Sequence, residues 1–248
     1  MIDFNNIKKS FDNNDVLCGV NLKVKLAQSM VIIGGSGTGK SVLIKTALGL
    51  IKPDSGKILV DGVDINQTKN NQFLERFGML FQGGALFDSL PVWKNVAFRL
   101  QRGNQKRPKD EAREIAIQKL RRVGLGPNVA DKYPAELSGG MQKRVSLARA
   151  IATDPEIIFF DEPTTGLDPI MSGVINELIR EIVVELGVTA MTITHDMTSV
   201  MAIADQVAML HEGKIQWCGS RSDLTDSGNT YVDQFVNGSV EGPIKTIR

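Results

Sequence analysis

Gly34-Gly35-Ser36-Gly37-Thr38-Gly39-Lys40-Ser41 follows the apolar run Ser29 to Ile33 and precedes Val42 to Leu50, which is apolar on most sides. The run reads as a buried strand and the later stretch as a deeply packed helix. Glycines between them let the backbone curl tightly, with N–H groups aimed inward at phosphate oxygens. The positive end of the helix adds its own pull on an anion. The spacing G-x-x-x-x-G-K-[ST] therefore reads as a phosphate cradle, with Lys40 reaching the β- and γ-phosphates and the Ser41 hydroxyl binding Mg2+. A glycine-rich turn with a chance lysine is the plain alternative, and the flanking strand and helix weigh against it.

Outward from the cradle, strand-like and helical runs alternate, which predicts an α/β protein with a largely parallel central sheet. Val20, Leu22, Val24 and Leu26 alternate with polar residues as a half-exposed strand. Lys57 to Val60 is a short strand closing on the turn Asp61-Gly62. From Val92 to Thr153 the pattern turns helical, broken at Pro108, Gly124 to Pro127 and Pro134, so a helical insert interrupts the core. The core resumes with strand Ile157 to Phe160, helix Ile170 to Glu185 and strand Thr189 to Thr194. Gln206 to Leu210 and Lys214 to Cys218 form a hairpin-like pair joined by His211-Glu212-Gly213.

Composition narrows the possible partners. A formal net charge of +1 on 248 residues predicts no nucleic-acid partner. The basic stretch from Arg99 to Arg122 is diluted by Asp110, Glu111 and Glu114, and reads as a solvated helical face. Cys18 and Cys218 stand far apart with no metal spacing, as small buried or half-buried hydrophobes of a reducing cytosol. The N-terminal MIDFNNIKKSF lacks the apolar core of a signal peptide, and no apolar run approaches the ~20 residues of a bilayer span. At a membrane, another chain must do the spanning.

Two further motifs carry chemistry. Ile157-Ile158-Phe159-Phe160-Asp161-Glu162 is a buried strand whose tip carries two acids; in α/β sheets ligands bind at that tip. Asp161 would hold Mg2+ and Glu162 would polarise an attacking water, unless the pair merely ends a strand. Leu137-Ser138-Gly139-Gly140-Met141 opens a helix whose apolar positions Met141, Val145, Ala148 and Ala152 recur at helical spacing. Ser138 is a good N-cap, and the paired glycines expose N–H groups to an anion. The chain thus holds a second potential phosphate-binding helix end.

These motifs, with Pro163-Thr164-Thr165-Gly166-Leu167-Asp168-Pro169 and Thr194-His195-Asp196 in order, resemble the nucleotide-binding domain of ABC ATPases over nearly the whole chain. The resemblance implies a P-loop NTPase (RecA-like) core over 1–82 and 156–225, with an antiparallel β subdomain. A helical subdomain carrying the LSGG segment would occupy 83–155, and a C-terminal tail 226–248. It implies that Ser138, Gly139 and Gly140 act in trans on ATP held by the cradle of a second copy, with Asp168 at the seam of a homodimer. His195 would contact the γ-phosphate and the attacking water, whereas His211 reads as an ordinary structural or surface histidine. Gln82, after a strand Phe77 to Phe81, matches the loop that senses Mg2+. Phe11 sits where the family places an aromatic against adenine, though a core phenylalanine explains it as well.

The segment Phe81-Gln82-Gly83-Gly84-Ala85-Leu86-Phe87-Asp88-Ser89-Leu90, with Val92, Asn95, Val96 and Ala97, narrows the resemblance to MlaF-type ATPases. Met141 and Gln234-Phe235-Val236-Asn237-Gly238, then Gly242-Pro243, fit the same group. That likeness implies a partner permease, an MCE-domain lipid-binding protein, phospholipid cargo and a place on the cytoplasmic face of the inner membrane. Some members continue past the Gly-Pro pair into a tail that grips the partner ATPase. This chain stops at Arg248, which puts that grip in doubt. The rival expectations are an importer of a polar solute and a soluble ABC ATPase without transport.

Overall fold

The computed structural model describes residues 1–12, 14–65, 71–102 and 106–245, so the last three residues of the tail lie outside the described residues. The chain divides into two compact units, Met1–Lys69 with Thr189–Arg248, and Asn70–Val188. This division follows packing, and it does not coincide with the boundaries drawn from motifs at 82 and 155.

The first unit opens with β1 (Ile2–Phe11) and β2 (Asn14–Val24), an antiparallel pair whose buried faces carry Ile2, Phe4, Ile7, Leu17, Val20, Leu22 and Val24. Leu26 departs from the expected strand. It is exposed in a turn beyond Val24, where Ala27 takes a left-handed φ of 54° and ends the alternation. β3 (Ser29–Ile33) is buried at every position and leads to α1 (Lys40–Ala47). This helix begins two residues before, and ends three before, the stretch expected from hydrophobicity, leaving Leu50 exposed.

β4 (Ser55–Val60) and β5 (Val63–Asp64) form a hairpin over Asp61-Gly62, both at positive φ, which matches the right-handed twist of the strands. The resulting antiparallel sheet runs β2-β1-β4-β5.

The second unit begins with α2 (Asn71–Glu75), β6 (Phe77–Leu80), α3 (Val92–Val96), α4 (Lys109–Arg122) and α5 (Gly139–Ala150). α4 buries Ala112, Ala116 and Leu120 at four-residue spacing and leaves its charges outside, as expected of a solvated face. Arg99 departs from that reading. It is built in, donating to the carbonyls of Leu74 and Phe77, and burial pushes its guanidinium below the usual arginine range. α5 stops at Ala150, so Ala152 lies past the helix it was expected to continue.

β7 (Ile157–Asp161) pairs in parallel with β6 and is followed by α6 (Pro169–Leu186). Phe73 and Phe159 each meet Phe77 edge to face, at ring distances of 5.0 and 5.6 Å.

The chain then returns to the first unit as β8 (Thr189–Ile193), α7 (Met197–Ile203), β9 (Gln206–His211), β10 (Lys214–Ser220) and α8 (Thr230–Asn237). β3 lies between β9 and β8, parallel to both, and buried neighbours on each side explain why it reads apolar throughout. β10 pairs antiparallel with β9 across a two-residue turn, Glu212-Gly213. His211 therefore ends the strand instead of sitting in the turn. Cys218 is exposed on β10, against the expectation of burial, while Cys18 is half-buried.

Candidate nucleotide-binding site

β3 delivers the chain straight into the glycine loop. Gly34 has φ 149°, and a Cβ there would lie 2.2 Å from the Leu210 carbonyl oxygen. Gly39 has φ 97°, and its Cβ would lie 2.8 Å from the Val16 carbonyl oxygen. No other residue type fits either position, because the obstacles are main-chain atoms that cannot rotate away. Thr38 Oγ1 donates to the Gly35 carbonyl at 3.0 Å and pins the loop across its middle.

Lys40 is 9% exposed, and its ammonium donates to the carbonyls of Gly34 and Gly35 at 2.7 Å each. α1 starts at Lys40 with no side-chain cap, so its first amides face the loop they follow. The loop thus gathers backbone donors, a helix end and a positioned cation, the groups that an anion would need. Ser36 and Gly37 form its exposed rim, with Ser41 half-buried in the first turn of α1.

Beside the loop is a cleft of about 620 Å³, lined among others by Lys8, Ser10, Asn14, Val16, Thr38 and Gly213. Phe11 is 43% exposed, with the Lys9 ammonium 5.2 Å from its ring centre, so it is not a core residue. The cleft lining takes its neighbours Ser10 and Asn14 rather than the ring itself. His195 is exposed just past β8. The next residue, Asp196, caps α7 through the amides of Thr198 and Ser199. Burial raises the Asp196 carboxyl, but hydrogen bonds from Ser199 and Thr198 outweigh it and hold the group below its ordinary value.

In the second unit, β7 carries Asp161 and Glu162 to its C-terminal tip, 7% and 8% exposed. Glu162 adopts φ 50°, a left-handed conformation that costs a non-glycine residue ~1–3 kcal/mol. Its carboxylate accepts from Thr165 Oγ1 at 3.1 Å, and its carbonyl accepts from the Thr165 amide at 3.3 Å. A strained backbone held by its own following turn fixes where this carboxylate points.

Gln82 is exposed immediately past β6, and its carbonyl accepts from the Lys143 ammonium. Ser138 caps α5 as expected, accepting from the Met141 amide at 3.3 Å. Gly139 is exposed and Gly140 lies beneath Met171. Asp168 caps α6, accepting from the amides of Ile170 and Met171 at 3.0 Å each.

The sequence reading missed Lys143, Ser146 and Arg149. Their signal was available: polar residues at three-residue spacing on a helix that also buries Gly140, Val145, Leu147, Ala148 and Ala150.

A glycine cradle enclosing a lysine, set between a buried strand and an uncapped helix, defines a P-loop nucleotide-binding protein. The sequence family described as ABC transporter matches residues 17–165, and the chain belongs to it. It is similar to the intermembrane phospholipid transport system ATP-binding protein MlaF of Haemophilus influenzae, at 40% identity over 99% of this chain and 93% of the relative. It is also similar to the probable ribonucleotide transport ATP-binding protein mkl of Mycobacterium tuberculosis, at 39% identity over 98% of this chain and 68% of the relative.

Among solved structures, the ATP-binding cassette MJ0796, a dimer in a post-hydrolysis state bound to ADP and Pi, matches with a TM-score of 0.80 and 29% identity. That match covers 89% of this chain and 98% of the other. The chain is an ABC-type ATPase built on a P-loop NTPase fold. No helix among the described residues is long and apolar enough to cross a membrane.

Proposed function

We propose that two copies of this chain bind two ATP molecules and couple their hydrolysis to a membrane permease that moves phospholipid between membranes. The observation that carries the hydrolytic part is Glu162, a buried carboxylate whose strained backbone and Thr165 bond hold it at a strand tip. In this reading each ATP lies between Gly34 to Ser41 of one copy and Ser138 to Gly140 of the other, with Asp168 at the seam. Lys40 and the cradle amides stabilise charge on the transferring phosphoryl group, which is where phosphoryl-transfer catalysis is won. Glu162 takes or orients the proton of the attacking water, and His195 holds that water from the γ-phosphate side. Phe11 or the cleft beside it receives the adenine.

Ser41, Gln82 and Asp161 offer a hydroxyl, an amide carbonyl and a carboxylate, the hard oxygen donors Mg2+ prefers beside phosphate oxygens. No cluster of three or more His, Cys, Asp or Glu residues that could hold a metal occurs among the described residues. Mg2+ held there would take its remaining ligands from phosphate and water, the usual arrangement for this ion. Bound Mg2+ supplies charge neutralisation at the β- and γ-phosphates.

The cargo assignment is supported by the Phe81 to Leu90 segment and by the MlaF likeness along nearly all of both chains. The likeness to mkl, named for ribonucleotide transport, favours a polar solute instead. Recovery of the tagged chain from detergent-solubilised membranes separates the two. Co-purification of a polytopic permease with an MCE-domain protein supports the lipid reading, whereas a periplasmic solute-binding protein sinks it. The sequence boundaries, with an ATP-binding core over 1–82 and 156–225 and a helical subdomain over 83–155, belong to the same proposal.

A further inference from the structure

Lys143, Ser146 and Arg149 stand three residues apart along one face of α5. All three donate to main-chain carbonyls of the segment that follows β6. Lys143 donates to Gln82, Ser146 to Gly84 at 3.0 Å, and Arg149 to Gly84 and Ala85 at 2.6 and 2.7 Å. Lys143 also reaches the Glu162 carbonyl at 3.4 Å. The residue is 7% exposed; burial pushes its pKa down while the charges of Asp161 and Glu162 push it back up.

Holding a loop does not require this arrangement, because Ser146 and Arg149 already hold Gly84 and Ala85. A buried ammonium is costly unless its donors are used. Two donors of Lys143 serve carbonyls 80 positions apart in sequence, and those carbonyls belong to Gln82 and Glu162. A lysine suits this better than an arginine fork, since three donors on a compact charge can meet acceptors from separate strand tips.

We propose that Lys143 is a positioning residue for ATP hydrolysis, tying the main chains of Gln82 and Glu162 to the helix that begins at Ser138-Gly139-Gly140. The Gln82 amide and the Glu162 carboxylate then keep a fixed spacing, and the left-handed backbone of Glu162 gains a donor that holds it. This inference rests on the roles given above to Gln82 and Glu162.

The test compares the purified full chain with its Lys143→Met, Lys143→Arg and Glu162→Gln variants in steady-state ATPase assays at varied ATP and Mg2+. Lys143→Met keeps most of the side chain's length and bulk and removes every donor. It is expected to lower kcat by about 10- to 100-fold, the scale of a small misplacement of reacting groups. KM for ATP should stay within about twofold of wild type, since substrate binding is not what Lys143 sets. The Mg2+ concentration for half-maximal rate should rise, and Lys143→Arg, which restores the charge and donors in a less suited geometry, should recover part of kcat.

A merely structural lysine gives a different pattern: kcat falls with thermal stability, the Mg2+ requirement is unmoved and arginine gives no rescue. That pattern overturns the proposal, as does wild-type kcat in Lys143→Met. If Lys143→Met does not fold, Lys143→Gln, which keeps an amide donor and drops the charge, carries the same comparison. Wild-type turnover in Glu162→Gln would overturn the underlying reading instead, so the two failures are distinguishable.

Discussion

The chain contains two glycine-rich helix starts, and they are built on different principles. At Gly34 to Ser41 the glycines are demanded by main-chain neighbours, since a Cβ at Gly34 would lie 2.2 Å from a carbonyl oxygen. The helix that follows has no side-chain cap, and a lysine fills the loop mouth. At Ser138 to Gly140 the helix is capped by Ser138. A Cβ on Gly139 would meet nothing nearer than 4.0 Å, and the obstacle at Gly140 is the end of a flexible methionine, Met171. The first anion site is enclosed by its own chain. The second helix start is capped but open at its rim, and packing within this copy makes no demand for glycine at 139.

The largest expected effect leaves both helix ends intact. Glu162→Gln should lower turnover by about 100-fold or more while ATP binding persists, because only the water-activating group is lost. Near wild-type hydrolysis would remove Glu162 from the reaction.

Lys40→Ala separates the two sites directly. Losing a charge-assisted donor costs about 1.5–3 kcal/mol, so ATP affinity should fall roughly 10- to 100-fold. An unchanged affinity in a titration with labelled nucleotide would mean that the loop is not the cradle.

A paired substitution tests the contrast in backbone obstacles. Gly34→Ala should destabilise the chain by about 1–3 kcal/mol through overpacking and strain. Gly139→Ala should stay within about 0.5 kcal/mol in denaturant unfolding yet lose turnover. Equal stability losses would erase the distinction drawn here.

The smallest effect is expected from Ser138→Ala. Removing the cap costs about 1 kcal/mol of stability, with ATP affinity of the isolated chain unchanged. A matching loss of nucleotide affinity would show that this helix end acts on the nucleotide of its own copy.

Much of this was legible in the sequence wherever a residue's role follows from its immediate neighbours. The cradle follows from glycine spacing after an apolar run, the Asp161-Glu162 tip from a strand ending in acids, and the Ser138 cap from its position before a helix. Periodicity failed where the backbone turned: Leu26 kept the alternation, but the strand ends at Val24 and Leu26 already lies in the turn that Ala27 makes at φ 54°.

Long-range partners were less accessible. Nothing in the sequence singles out the partner of Lys143, because the carbonyl it serves at Gln82 lies 61 positions away. Arg99 failed for the same reason, its partners being carbonyls on a segment more than twenty residues upstream. Asp168 carries a local task, the α6 cap, that motif reading did not anticipate and that any seam role must share.

The left-handed backbone at Glu162 has a consequence for mutational scanning of this protein. Glycine adopts φ 50° without penalty and asparagine with little, so both relieve strain that glutamate bears. A screen for cellular abundance should rank those replacements as neutral or favourable, while a screen for growth that depends on transport should rank them among the worst. Position 162 would then stand out as a place where selection has held a less comfortable residue against the preference of the fold, and the gap between the two rankings would measure how strongly.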